Sequence, residues 1–260
     1  MAPIRHPDTG LLLGDPDFIP LQSISEQTIH GELEAALERL ILSASGWRTV
    51  FAPSGNEEDN DSSISSAHYI IAATAGLVFS DYIKTKSGKK NPVLLVGQDS
   101  RLTGTAIADT IIKILLATGC EVRYAFIISA PEIMAYSRQA ELIDGFVYIS
   151  ASHNPIGHNG IKFGLNDGGV LPASEAKLLI EAFQAAIRRK EHLSLLQNQL
   201  RSITSRQVAQ VYENTRNIKR EAYSAYLLFS HEVITGHQDR EQQNRIYSYI
   251  EETTKQQGLG

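Results

Sequence analysis

A single cysteine, Cys120, in 260 residues leaves no partner for an internal disulfide. Packing and hydrogen bonds must hold the fold, and a reducing, cytoplasmic setting is expected. In "LLATGCEVRYAF" that cysteine reads as a small buried hydrophobe. Long apolar runs are also missing. No segment approaches the roughly 20 consecutive apolar residues of a membrane span. The N-terminal "MAPIRHPDTGLLLGDPDF" holds a three-residue leucine run, where a secretion signal needs an apolar stretch of about 7 to 15 residues. Neither sign of charge dominates, with 24 Lys and Arg against 29 Asp and Glu. Such a balance gives no global attraction to nucleic acid or anionic lipid, so neither a nucleic acid nor a membrane is expected as a partner. Basic chemistry, where it matters, has to be local.

What is present suffices for a core: 42% of the residues are hydrophobic, and the length allows one large domain, or one domain and part of another. "SEQTIHGELEAALERLIL" (25–42) carries apolar residues at helical spacing, with Ser25 as cap and Gly46 as a stop a little beyond. "SGWRTVF" (45–51) reads as a turn entering a short strand, and "APSGNEEDNDSS" (52–63) as an exposed, acidic insertion loop. Its Glu57, Glu58, Asp59 and Asp61 make a poor preorganised cation site. An amphipathic helix follows from Ser65 to Lys84.

The centre of the chain decides the fold class. "PVLLVGQ" (92–98) is continuously apolar, as a strand buried on both faces must be. A helical stretch (103–119), the strand "EVRYAFI", the helix "APEIMAYSRQA" and the strand "DGFVYIS" come after it. This alternation predicts right-handed crossovers and a three-layer α/β/α fold, a mixed, mostly parallel sheet with helices on both faces. "GIKFGL" (160–165) follows too closely for a helical crossover and is expected to run antiparallel as the last strand. A helix from Ser174 to about Lys190 completes the unit. Composition then shifts, nine Gln in the last 70 residues against five in the preceding 190. The expected organisation is a domain over 1–190, a linker over 191–217, and a helical C-terminal extension over 218–260.

In open α/β sheets ligands collect at the carboxyl ends of the strands. Three polar segments fall at such ends: "GQDSR" (97–101), the Ser-Ala-Pro after "YAFII", and "SASHNPIGHNG". The last displays Ser152. Turn chemistry alone, through Asn154-Pro155 and Asn159-Gly160, is the bland alternative. An esterase elbow needs Gly two before and two after its nucleophile, but Ser150 and Asn154 stand there. His153, as immediate neighbour, is poorly placed to serve as a triad base. A hydroxyl that carries a phosphoryl group fits better. Its charge and acceptor oxygens call for cations and donors, which Arg48, Arg101, His153 and Lys162 can supply. Each of the four taken alone reads more readily as a surface charge or a turn residue.

"SASHNP" followed by "NGIKF", with "GQDSR" about fifty residues earlier and "SGWR" earlier again, resembles the α-D-phosphohexomutase family of phosphoglucomutases and phosphomannomutases. The resemblance covers roughly residues 43–190, similar to the first of the family's four domains, and "KREAYSAYLLFSHEVI" is similar to the opening of the second. It implies an intramolecular phosphotransferase that interconverts hexose 1-phosphate and hexose 6-phosphate through a phosphoserine at Ser152 and a bisphosphate intermediate. Arg48 and Lys162 would flank the phosphoserine, the lysine as proton shuttle; His153 and Asn154 would shape the phosphate pocket, and Arg101 would buttress it. Arg101, Asn154, Asn159 and Gly160 would be the phosphate- and substrate-binding positions.

Magnesium is implied as cofactor, with an oxygen of Ser152 as one ligand, and hexose 1,6-bisphosphate as activator. The family's alternating aspartate loop has no counterpart in the sequence. Asp15-Pro16-Asp17 lies far too early and lacks a third carboxylate, and a hard octahedral cation needs more than one serine oxygen. Hexose phosphate is the implied substrate, with a second chain as the possible source of the missing domains. The competing expectation is a truncated, non-catalytic domain that serves only as a folded binding module. Apolar patches left by missing domains would favour self-association.

Overall fold

A computed structural model describes residues 1–258. The chain begins with β1 (Ile4–Arg5), β2 (Leu12–Gly14), α1 (Glu26–Arg39), β3 (Ile41–Ser43), β4 (Gly46–Val50) and α2 (Ser66–Ser87). The centre holds β5 (Val93–Gln98), α3 (Gly104–Ala117), β6 (Glu121–Ile127), α4 (Ala130–Gln139), β7 (Gly145–Ile149) and β8 (His158–Leu165). Five helices follow: α5 (Ala173–Ile187), α6 (His192–Arg201), α7 (Ser205–Glu213), α8 (Thr215–Thr235) and α9 (Arg240–Gln256).

Six strands form one mixed sheet in the order β3-β4-β8-β7-β5-β6. β7, β5 and β6 are parallel neighbours, whereas β8 runs antiparallel to both β7 and β4. Four strands therefore point one way, and β3 and β8 point the other. The antiparallel sense expected of 160–165 holds. Its place is different: β8 lies inside the sheet, because β3 and β4 add a hairpin beyond it. Sequence spacing showed no signal for β3, which is only three residues long.

Helices cover both faces. On one, α2, α3 and α5 pack Ile71, Phe79, Ile111 and Phe183 against Trp47, Val96, Val147 and Phe163 of the strands. Ser65 starts α2 by accepting the His68 amide at 3.3 Å, and Gly88 ends it at φ 68°. On the other face, α4 and α8 bury Ile133, Tyr136, Ile218 and Ala222 over Leu95, Phe146 and Tyr148. The first half of α8, expected to open a second domain, thus completes a layer of this one.

Residues 191–217, expected as a linker, are mostly helical and packed. Leu193, Leu196, Leu200, Val208 and Tyr212 are buried in the main core. Their spacing, three or four apart within each helix, puts one apolar stripe inward. Short length and glutamine-rich surfaces hid this pattern in the sequence. Polar bonds reinforce the packing. Lys113 is buried and donates to the Asp15 carbonyl at 2.8 Å, the Phe18 carbonyl at 2.6 Å and Asp109 Oδ2 at 2.6 Å. The Tyr212 hydroxyl donates to the other oxygen of Asp109. Gln197 Nε2 donates to the Leu21 and Ile24 carbonyls at 2.8 and 2.9 Å. The N-terminal arm, α3, α6 and α7 are therefore one interlocked block. Cys120 is buried beside Ser80, as its apolar setting implied. Among the described residues no helix is long and apolar enough to cross a membrane.

Candidate functional site

β7 ends at Ile149, and the chain turns out of the sheet through Ser150 and Ala151 to an exposed Ser152 and His153. Ser152 adopts φ 59°, the left-handed region that non-glycine residues seldom enter. Two local bonds set that turn: the Ser152 amide donates to Ser150 Oγ at 3.1 Å, and Asn154 donates to the Ala151 carbonyl through its amide at 3.2 Å and through Nδ2 at 2.7 Å. The hydroxyl is thus held outside the core on a constrained backbone.

Arg101 supplies the constraint. Its guanidinium donates to the carbonyls of Ser152 at 3.0 Å, Asn154 at 2.5 Å and His158 at 3.0 Å, and to that of Pro155. Nε faces Asp99 Oδ2 at 3.3 Å, and Asp99 Oδ1 accepts the Arg101 amide at 3.0 Å. All five N–H donors of the fork are committed. Arg101 therefore holds the loop and has no donor left for a phosphate, a correction to its expected binding role.

Asn159 and Gly160 need the same correction. Asn159 is fully buried, with Nδ2 on Thr103 Oγ1 at 3.0 Å and Oδ1 accepting the Gly160 amide at 2.9 Å. It fastens β8 to the start of α3. Gly160 lies between β4 and β7, where an added Cβ would come within 2.8 Å of the Ser150 carbonyl and 3.0 Å of Arg48 Cγ. The Asn-Gly pair reads as a turn in sequence but sits inside a strand. Likewise, Ser129 after β6 forms a capping box with Glu132 of α4, so the Ser-Ala-Pro segment starts a helix.

Register brings the remaining candidates together. Arg48 pairs with Gly160 across β4 and β8, and Tyr148 pairs with Lys162 across β7 and β8. Since side chains alternate along a strand, Arg48, Tyr148, Ser150 and Lys162 share one face of the sheet, opposite Trp47, Ile161 and Phe163. Gly160 offers no side chain, and the Arg48 stem lies against it. Arg48 Nε is buried without a hydrogen-bond partner. Lys162 Nζ lies 5.8 Å from the centroid of the Tyr148 ring. Partial burial pushes the Lys162 ammonium below the ordinary lysine range; Asp99 opposes that shift and the Arg48 guanidinium adds to it. Arg48 and Lys162 thus share the face of the sheet on which β7 runs out toward Ser152.

The acidic insertion is exposed, as expected, and is tied to the serine loop through Glu57. The Gly157 amide donates to the Glu57 carbonyl at 2.7 Å, and the Glu57 carboxylate meets His158 Nε2 at 2.9 Å. A Cβ on residue 157 would stand 2.5 Å from the Asn56 carbonyl, so this approach needs glycine. Sequence reading missed Glu57, Asp99 and Thr103 as supports of the serine loop. Only Asp99, two residues before Arg101, carried a local signal.

A metal is poorly served. Among the described residues no three His, Cys, Asp or Glu side chains converge to hold one. Asp15 Oδ1 accepts the Asp17 amide at 3.0 Å, and the Asp17 carboxylate pairs with the N-terminal ammonium. The residues present do not fit a magnesium site, which needs several oxygens in octahedral array.

Residues 63–190 match the family "Phosphoglucomutase/phosphomannomutase, alpha/beta/alpha domain I". A phosphoglucosamine mutase of Macrococcus caseolyticus is 36% identical over 114 residues, 43% of this chain and 25% of its own length. One of Bacillus licheniformis is 41% identical over 103 residues, 40% of this chain and 22% of its own. A solved phosphoglucomutase/phosphomannomutase family protein of Burkholderia thailandensis is 21% identical at a TM-score of 0.44, covering 56% of this chain and 30% of its own. The chain spans about a quarter of the length of the curated relatives it matches.

Proposed function

Since the chain belongs to the α-D-phosphohexomutase family through the domain I that it carries over residues 63–190, we propose that Ser152 is a phosphoryl carrier in hexose phosphate interconversion. A sugar hydroxyl attacks the phosphorus of phosphoserine 152; the new P–O bond forms as the bond to Ser152 Oγ breaks. The proton leaving the sugar passes to neutral Lys162 Nζ and returns to the serine oxygen. The resulting bisphosphate reorients, and the reverse step returns its other phosphoryl group to Ser152. Transfer of this kind asks mainly for positioning and cations. The observation that carries the reading is the constrained, exposed Ser152 at a strand end whose neighbouring face bears Arg48 and Lys162.

A lysine partly desolvated beside a second cation spends more time neutral, which suits a proton acceptor. The named relatives make glucosamine phosphates the first sugars to try, with glucose and mannose phosphates beside them. No step is routed through magnesium. Incubation of the full chain with glucose 1,6-bisphosphate should add one phosphoryl group by intact mass, and Ser152→Ala should abolish it. No addition, or equal addition to the variant, would refute the carrier role.

The second reading, a folded domain without turnover, is favoured by the lack of converging metal ligands among the described residues. It expects labelling of Ser152 without interconversion of sugar phosphates, or no labelling at all.

A further inference from the structure

Lys162 stands inside the sheet, with β7 on one side of its strand and β4 on the other. It pairs directly with Tyr148 of β7, and its Nζ lies over that ring, 5.8 Å from the centroid. An ammonium is drawn to the negative face of an aromatic ring within about 6 Å of its centre. The ring cannot swing away. Tyr148 is buried, and its hydroxyl donates to the Ile128 carbonyl at 3.1 Å. On the β4 side, a Cβ added to Gly46 would come within 2.8 Å of Lys162 Cγ. The lysine stem therefore runs between a glycine that leaves it room and a ring that is fastened at its far end.

The charged groups around this lysine are few. Partial burial works against its ammonium, Asp99 beyond the end of β5 supports it, and Arg48 on β4 works against it. Glu132 of α4 acts on Tyr148 and is itself paired with Lys219 of α8 at 2.8 Å. Lys162 forms no ion pair among the described residues. The contact its head does make is with the ring. Tyr148 stays neutral beside it, because burial raises its phenol, Asp99 adds to the rise, and a hydrogen bond with Ser150 only opposes it. The ring thus supports the charged lysine without bringing a charge of its own.

We propose that Tyr148 is a positioning residue for phosphoryl transfer, its ring face holding the Lys162 head beside the run of β7 toward Ser152 and favouring the protonated lysine over the neutral one. The inference rests on the carrier reading of Ser152 with Lys162 as proton acceptor. It goes beyond that reading in naming the group that balances the lysine between two duties. Neutral Lys162 takes the proton from the attacking hydroxyl, and charged Lys162 gives it to the departing oxygen. Burial and Arg48 favour the first form, whereas the ring and Asp99 favour the second. A lysine held between these influences serves both halves of the transfer.

The test follows Lys162 in the full chain by the NMR shift of its Cε against pH, the signal being identified by its loss in Lys162→Arg. Beside it stands the pH profile of the rate at which glucose 1,6-bisphosphate labels Ser152, read by intact mass. Tyr148→Leu removes the ring and Tyr148→Phe keeps it. A ring-trifluorinated phenylalanine at position 148 keeps the shape while draining the negative face. Relative to Tyr148→Phe, the leucine and the fluorinated ring should each raise the neutral fraction of Lys162 at a given pH about two- to fivefold, the worth of one cation–π contact. Tyr148→Phe should match the parent, and the labelling profile should move to lower pH by the same factor as the titration. Thermal melting shows which variants are folded, and the fluorinated ring carries the test if Tyr148→Leu is not. A folded fluorinated variant that titrates like Tyr148→Phe overturns the proposal. So does an equal displacement in Tyr148→Phe itself, which would assign the effect to the hydroxyl. A displaced titration with an unmoved labelling profile would refute Lys162 as proton acceptor and, with it, the part of the ring in transfer. Absence of labelling in the parent chain would refute the carrier role, while the titration alone still decides whether the ring holds the lysine.

Discussion

Arg101 donates to the carbonyl of Ser152 at 3.0 Å across a separation of 51 positions in sequence. The strand end that carries the hydroxyl is thereby tied to the turn that follows β5. A guanidinium can serve four carbonyls because its donors are fixed in a planar fork. Arg101→Lys keeps the charge and loses that geometry. It should cost about 2 to 3 kcal/mol of stability by denaturant unfolding and raise hydrogen exchange at residues 152–158. Exchange confined to parental levels would show that the loop holds its shape without the fork.

Ser152 at φ 59° predicts an inversion of the usual ranking of glycine and alanine. Ser152→Gly should be more stable than Ser152→Ala by about 1 kcal/mol, since only glycine enters the left-handed region without steric cost. Equal urea midpoints for the two variants would mean that the turn relaxes out of that conformation.

The buried Asp109, Lys113 and Tyr212 cluster should behave as a unit. Burial raises the Asp109 carboxyl, while Lys113 and the Tyr212 hydroxyl act to lower it. Lys113→Met alone leaves a carboxylate inside without its cation, and should cost about 3 to 5 kcal/mol. Combining it with Asp109→Asn should cost less than the sum of the two single changes. Strict additivity would indicate that the ion pair does not couple.

Two buried histidines set the acid limit. Burial brings both His68 and His192 down to about 4, opposed by Glu32 and helped by Arg39 at the first and helped by Arg189 at the second. The folded state therefore binds fewer protons than the unfolded state below pH 6.5, and stability is lost as pH falls from 6.5 toward 4. Each group contributes roughly 3 kcal/mol over that interval. Replacing them in the double variant His68→Phe, His192→Gln should flatten the slope of unfolding free energy against pH there. An unchanged slope would place acid sensitivity in the carboxylates.

Lys162 acts with the same sign at the alkaline end. Its folded pKa lies below the ordinary lysine value, so the folded state sheds this proton earlier and the chain gains stability as pH rises from the folded value to the unfolded one. Lys162→Met should therefore be stabilising near neutrality, and the difference from the parent should shrink above pH 10. Solvent screening at this half-exposed position keeps the effect small. A destabilised variant at neutral pH would mean that the ammonium finds more support than its surroundings show.

Much of the fold was legible because its helices and strands differ in period and follow one another with short connections. β5, α3, β6, α4 and β7 lie within a few residues of their expected ranges. β1, β2 and β3 were not, since strands of two or three residues carry too few alternations to be told from loop, and β4, expected as a short strand, was not seen to pair in a hairpin. At the site, the display of Ser152 follows from local pattern; the shared face of Arg48 and Lys162 does not, since it depends on the register of β4 and β8. The duties of Arg101 and Asn159 do not. Both are polar residues in turn-like contexts, and only the crossing of distant strands decides whether their donors meet backbone or ligand.

The bonds from Gln197 to Leu21 and Ile24, and from Tyr212 to Asp109, bear on how the protein can be cut. A recombinant product trimmed at 190, where glutamine begins to accumulate, would strip α6 and α7 from a core that includes the opening residues, and α8 from the opposite face of the sheet. That product should be insoluble, and the shortest well-behaved piece should extend past Ala225. Limited proteolysis of the intact chain should accordingly spare the 191–213 stretch.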